Sequence, residues 1–114
     1  MDGWVIAVVA AGGLLAARMW IGGRKVSVDV VKQKLEAGAT VLDVRTPQEF
    51  RGGAYPGARN IPVQELQARI AEVPKGKPVV VYCASGMRSA SAARVLSQAG
   101  FDVVNAGGLV HMPR

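Results

Sequence analysis

The sequence predicts an α/β domain: a parallel sheet flanked by helices and preceded by one N-terminal hydrophobic helix. Three observations point there. Runs such as Thr40–Val44 and Pro78–Tyr82 are largely apolar without alternation, the pattern of strands covered on both faces. Segments with helical spacing and cap residues separate those runs. The first twenty-one residues hold an apolar stretch unlike anything after it.

That stretch, Trp4 to Ile21, is apolar except for Arg18. Eighteen helical residues span about 27 Å, close to a bilayer core. Trp4 and Trp20 stand where interfacial aromatics belong, and Arg18 is near enough to the end to snorkel. A cleavable signal peptide starts with a positive region, whereas this chain starts Met1-Asp2-Gly3. Residues 4–21 are therefore expected to be a membrane anchor, with a cleaved signal or a helix packed on the domain as alternatives. Residues 1–25 form the anchor and its basic flank, and residues 26–114 the domain. Arg18, Arg24, Lys25, Lys32 and Lys34 all lie at or after the end of the stretch. Such a charge bias retains that side in the cytoplasm, so the expected location is a bacterial inner membrane, crossed once.

Within the domain, Ser27 caps a helix with Val28, Val31 and Leu35 on one face, ended by Gly38. Thr40–Val44 is a buried strand. Thr46-Pro47-Gln48-Glu49 reads as a capping box with Pro at the first helical position. Gly52 to Gly57 is a turn-rich loop, and Ala58–Ile61 a short strand. Gln64–Ala71, with Leu66 and Ile70, is a helix that Pro74-Lys75-Gly76-Lys77 breaks. Pro78–Tyr82 is the most apolar strand. The helix after it buries Ala92, Val95, Leu96 and Ala99 and stops at Gly100, and Asp102–Asn105 is the last strand.

Composition narrows the function. The net charge of +6 admits nucleic acid, anionic lipid or a small anionic substrate. The basic residues are scattered and not interleaved with aromatics, which disfavours nucleic acid. One cysteine and one histidine exclude an intrachain disulfide and make no metal cluster, and no cofactor is implied. Asp43, Arg45 and Cys83 fall at the carboxyl ends of two predicted strands, the edge where open α/β sheets bind ligands.

Cys83 is the focus. A thiol at a strand end, ahead of a helix N-terminus, meets backbone N–H groups and the positive end of the helix dipole. Both favour thiolate and depress its pKa. Gly86 permits the loop conformation, Ser85, Ser89 and Ser91 offer hydroxyl donors, and Arg88 adds a positive charge.

The run Cys83-Ala84-Ser85-Gly86-Met87-Arg88-Ser89 resembles the active-site loop of rhodanese-domain sulfurtransferases. The likeness extends to Val41-Leu42-Asp43-Val44-Arg45, Glu49-Phe50, Tyr55-Pro56-Gly57-Ala58-Arg59-Asn60-Ile61-Pro62 and Asn105-Ala106-Gly107-Gly108-Leu109. It runs in the family's order from Val26 to Leu109. It implies a single rhodanese-like domain in which Cys83 carries a persulfide, Ala84 to Ser89 bind an anionic donor such as thiosulfate, and an external thiol or cyanide accepts the sulfur. Arg88 would meet the donor's charge; Asp43 and Arg45 would support the loop, Asp43 by tying it to the neighbouring strand and Arg45 by pairing with Glu49. Ala54-Tyr55 replaces the family's His-Ile pair, which bears on packing or docking. The short ending Val110-His111-Met112-Pro113-Arg114 resembles that of small phage-shock-type rhodaneses, which often face the periplasm, the alternative location. His111 reads as a surface or packing histidine.

Two rival functions are weighed. Phosphatases and arsenate reductases of this fold need five residues between Cys and Arg; here there are four, Ala84 to Met87, a ring suited to sulfur on the cysteine. A non-catalytic docking module is disfavoured by the retention of Cys83, Gly86 and Arg88.

Overall fold

The computed structural model describes residues 23–114. The apolar segment 4–21 expected to cross a membrane lies outside them, and no helix among the described residues is long and apolar enough to cross one. Ser27 opens α1 (Val28–Glu36) by accepting the N–H of Val30 at 3.4 Å. The predicted inward face of this helix is rotated. Val28 is 43% exposed, while Val31 is buried and Val30 and Leu35 pack beside it.

Strand β1 (Thr40–Asp43) leads to α2 (Pro47–Arg51), opened by the predicted capping box. Thr46 Oγ1 accepts the Glu49 N–H and Glu49 Oε1 accepts the Thr46 N–H, both at 3.1 Å. Strand β2 is only Arg59–Asn60. The single helix expected over Gln64–Ala71 is instead α3 (Val63–Leu66) followed by a 3₁₀ turn, Ile70–Glu72. Arg69 leaves helical angles between them (φ −109°, ψ 18°), and the tighter turn delivers Val73 to the core.

Strand β3 (Val79–Cys83) is wholly buried. Helix α4 (Met87–Gln98) buries Ala92, Ala93 and Leu96; Ala99, predicted inside, is exposed because it serves as the C-cap. Strand β4 (Val103–Gly108) runs three residues past its predicted end, through the glycine pair. A register shift beside Val81 and Tyr82 sets Cys83 opposite Gly108.

All strands are parallel in the order β2-β1-β3-β4. Alternation along β3 feeds two core layers. Val79, Val81 and Cys83 face Leu66 of α3 and Ala92, Ala93 and Leu96 of α4. Val80 and Tyr82 face Val31 of α1 and Met112. The chain moves outward to β2 after β1 and to β4 after β3, so the strand order reverses between the two central strands. A crevice opens at the carboxyl end of such a reversal.

Candidate active site

At that end Asp43 stands opposite Tyr82, and Cys83 opposite Gly108. Cys83 finishes β3 pointing toward α4, with no exposed surface. Gly86, at φ 104°, is the residue ahead of α4, in a region side chains rarely adopt. It turns the chain so that its N–H reaches Cys83 Sγ at 2.9 Å. The Ser89 N–H follows at 3.4 Å, and Ser89 Oγ lies 3.3 Å from the same sulfur. Burial pushes the thiol up. The Ser89 hydroxyl and the N–H groups of Ser89, Gly86 and Ser85 outweigh it, so the Cys83 pKa lies below that of an ordinary thiol.

The glycine pair of β4 makes this cradle possible. A side chain on Gly108 would strike the Ala84 carbonyl oxygen, and one on Gly86 would meet Gly107 Cα at 3.3 Å. Backbone thus packs on backbone on this side of the sulfur. The sulfur itself is enclosed, while the loop around it meets solvent: Ala84 and Ser85 are exposed, and Met87 is 81% exposed. Ser89, predicted among the donor-binding residues, lies fully buried beneath the sulfur and holds it.

The two arginines are placed differently from expectation. Arg88 does not point freely at the pocket; its Nη1 and Nη2 donate to Glu49 Oε1 and Oε2 at 2.7 and 3.0 Å. Glu49 is already oriented by Thr46, and the Arg88 hydrogen bonds together with that cap hold its pKa down to about 2. Arg45 does not pair with Glu49. It turns back on Asp43, with Nε 2.9 Å from Oδ1 and Nη2 2.6 Å from Oδ2.

The reason is burial. Asp43 is fully enclosed, and a buried carboxylate requires donors on every side. The Arg45 N–H supplies one at 3.0 Å and the Tyr82 hydroxyl another at 2.7 Å. Burial pushes the Tyr82 phenol up to about 12 although its oxygen accepts the Tyr55 N–H. Arg45 also donates to the Gly53 carbonyl at 2.7 Å, so Asp43, Arg45 and Tyr82 brace the crevice wall. With both guanidiniums matched by carboxylates, backbone N–H groups supply the positive field at the sulfur. The first-turn amides of α4 have no acceptor within their own helix and face the same edge.

Two residues without an assigned role, and Glu49 in a role other than the expected one, also shape the site. Asn105, 2% exposed, donates to Gly86 O and accepts from the Gly107 N–H. Asn60 Nδ2 donates to the Asp43 and Arg45 carbonyls, both at 2.9 Å. Glu49 fixes Arg88. The signal for Asn105 lay in the run Asn105-Ala106-Gly107-Gly108-Leu109, in which the asparagine had been given no role. His111 is exposed, as predicted, and its Nδ1 accepts the Gly108 N–H at 2.8 Å.

Comparison with known proteins agrees with this geometry. The family described as Rhodanese-like domain matches residues 27–110. The thiosulfate sulfurtransferase PspE of Escherichia coli is 44% identical over 78 residues, 64% of this chain and 75% of that protein. A sulfurtransferase of Allochromatium vinosum is 40% identical over 76 residues, 65% of this chain and 71% of its own length. The crystal structure of a rhodanese-related protein from Thermoplasma volcanium superposes with a TM-score of 0.67 at 36% identity, covering 76% of this chain and 86% of that one.

Proposed function

We propose that this chain, which belongs to the rhodanese-like domain family, moves sulfane sulfur from an anionic donor such as thiosulfate to a thiol or cyanide through a Cys83 persulfide. The observation that carries this reading is the Cys83 sulfur held by the Gly86 N–H at 2.9 Å and by the Ser89 N–H at 3.4 Å, at the head of a loop that reaches Arg88 after four residues.

The Cys83 thiolate attacks the outer sulfur of thiosulfate. A new S–S bond forms, the donor's S–S bond breaks, and sulfite leaves with the bonding electrons. The extra sulfur, anionic in the persulfide, then sits among the N–H groups that stabilised the thiolate. An acceptor nucleophile takes that outer sulfur, and Cys83 departs as thiolate. Cys83 is the chain's one cysteine, so the acceptor is another molecule. Relatives named as thiosulfate sulfurtransferases support this donor. The intact loop, with four residues between Cys83 and Arg88, speaks against both a docking-only module and a phosphatase or arsenate reductase.

The test is mass spectrometry of the protein after incubation with thiosulfate. The expected result is a gain of one sulfur atom on Cys83, removed by cyanide and absent from Cys83→Ser. An unmodified Cys83 in folded protein overturns the proposal. Residues 4–21 are proposed to hold the domain on the cytoplasmic side of a bacterial inner membrane. Labelling of a Lys75→Cys variant in intact cells, in a Cys83→Ser background and with an impermeant thiol reagent, would place it in the periplasm.

A further inference from the structure

We infer that Asn105 is a positioning residue for sulfur transfer, one whose side-chain amide sets the orientation of the cysteine loop. The inference rests on the sulfurtransferase reading and concerns a residue that does not touch the sulfur. Asn105 is 2% exposed and stands opposite Val81, directly before the register shift between β3 and β4. Its hydrogen-bonding capacity is used on both sides. Oδ1 accepts the Gly107 N–H at 2.9 Å, and Nδ2 donates to Gly86 O at 3.4 Å and Gly23 O at 3.3 Å. An N–H on one side and two carbonyls on the other fix which way the amide points.

The consequences reach Cys83 along two short routes. In the first, Gly86 has its N–H on Cys83 Sγ, and its carbonyl accepts both the Ala90 N–H of α4 at 3.0 Å and Asn105 Nδ2, so both peptides flanking this left-handed residue are pinned. A peptide is planar, so holding the Gly86 carbonyl toward Asn105 turns the Met87 N–H the opposite way. In the second, the Gly107 N–H is held by Asn105 while the Gly107 carbonyl lies 3.3 Å from Ser89 Oγ. Ser89 Oγ is in turn 3.3 Å from the sulfur. One buried amide thus joins the first turn of α4 in holding Gly86 on one flank of the cradle and, through Gly107, holds the Ser89 hydroxyl on the other. Without it the loop keeps its residues and loses the alignment of its donors, and small misplacements of such donors cost about a hundredfold in rate.

The test compares full-length parent, Asn105→Ala, Asn105→Asp and, as a control, Val31→Ala, which opens a small cavity in the opposite core layer. Three readouts are taken: melting temperature, the pH profile of Cys83 alkylation by iodoacetamide, and kcat/KM for thiosulfate with cyanide. Aspartate keeps the acceptor for Gly107 and loses the contacts to both Gly86 and Gly23, so it separates the acceptor side of the amide from its donor side. The expected result is a rise of about one pH unit in the alkylation midpoint and a loss of roughly ten- to a hundredfold in kcat/KM for both Asn105 variants. Val31→Ala should melt earlier with an unmoved midpoint. A parent-like midpoint in folded Asn105→Ala overturns the inference, as does an equal shift in Val31→Ala. Should alanine prevent folding, Asn105→Ser is read by the same criteria. The alkylation profile needs no sulfur transfer, so it decides on Asn105 even if Cys83 proves not to accept sulfur.

Discussion

Ser89→Ala is the sharpest probe of how the cradle activates Cys83. The change deletes one oxygen, 3.3 Å from Cys83 Sγ and 3.3 Å from the Gly107 carbonyl, and leaves the Gly86 and Ser89 N–H contacts in place. The hydroxyl has a single proton, and a thiolate draws it more strongly than a carbonyl does. The deletion therefore removes a hydrogen bond to a charged group, worth about 1.5–3 kcal/mol. At about 1.4 kcal/mol per unit, the Cys83 pKa should rise by roughly one to two units. The sign follows from which form is stabilised: the lost contact favoured thiolate, so its loss favours thiol. A more basic thiolate is also more nucleophilic, with a slope of about 0.4–0.5, which recovers roughly half of the change on a logarithmic scale. Below both pKa values the variant should react with iodoacetamide about three- to tenfold more slowly, and on the alkaline plateau faster by a similar factor. The two pH–rate profiles must cross. General damage to the loop would slow the variant at every pH, and a superimposable profile would mean the hydroxyl serves only Gly107; either result refutes the argument.

Gly108→Ala tests the close approach of β4. Gly108 has ordinary extended angles, φ −90° and ψ 165°, so alanine adds no backbone strain, but its Cβ meets the Ala84 carbonyl. Sulfur transfer should fall by roughly a hundredfold with the circular dichroism spectrum retained, and parent-like turnover would show that the loop can yield. Glu49→Gln keeps an acceptor for Thr46 and releases the Arg88 charge. KM for thiosulfate should drop by about fivefold at low ionic strength, the scale of one partly exposed ion pair, and the gain should fade with added salt. An unchanged KM would remove Arg88 from donor capture. The same variant reports on acid stability. Glu49 has its folded pKa depressed to about 2, so its contribution is complete above the usual carboxylate value of 4.5 and is lost as pH falls through about 2. Parent stability should decline across that window more steeply than that of the glutamine variant in a urea titration.

What could be read in advance divides by the distance over which each signal acts. The capping box of Thr46 and Glu49, the apolar run of β3, Gly38 after α1 and Gly86 before α4 are set by neighbours within a few residues, and each appears where the pattern placed it. Faces were less legible. Val28 and Ala99 fit helical stripes, yet a stripe's rotation depends on which layer lies beneath it, and the sheet beneath α1 engages Val31 and Leu35 as placed but takes Val30 in place of Val28. Partner choice was least legible of all. Arg45 was expected to pair with Glu49. Arg45 precedes the cap of α2, however, where the chain is not yet helical, and the enclosed Asp43 two residues earlier claims its guanidinium.

The freed Glu49 then becomes the clue to Arg88. Thr46 holds Glu49 Oε1 through its N–H and its hydroxyl, both at 3.1 Å, so the carboxylate is already oriented when α4 packs alongside. Its remaining acceptor capacity faces the Arg88 fork, 39 residues further along the chain. A local motif legible in the sequence therefore determines a contact that is not. The consequence for chemistry is that the loop's fixed cation is balanced before any donor arrives. On the proposed sulfur-transfer reading, the parent's capture of an anion leans first on backbone N–H groups, which need no particular side chain beyond the glycines that let them converge. This accounts for a cradle built from Ala84, Ser85, Gly86, Gly107 and Gly108, residues whose main contribution is the backbone path they permit.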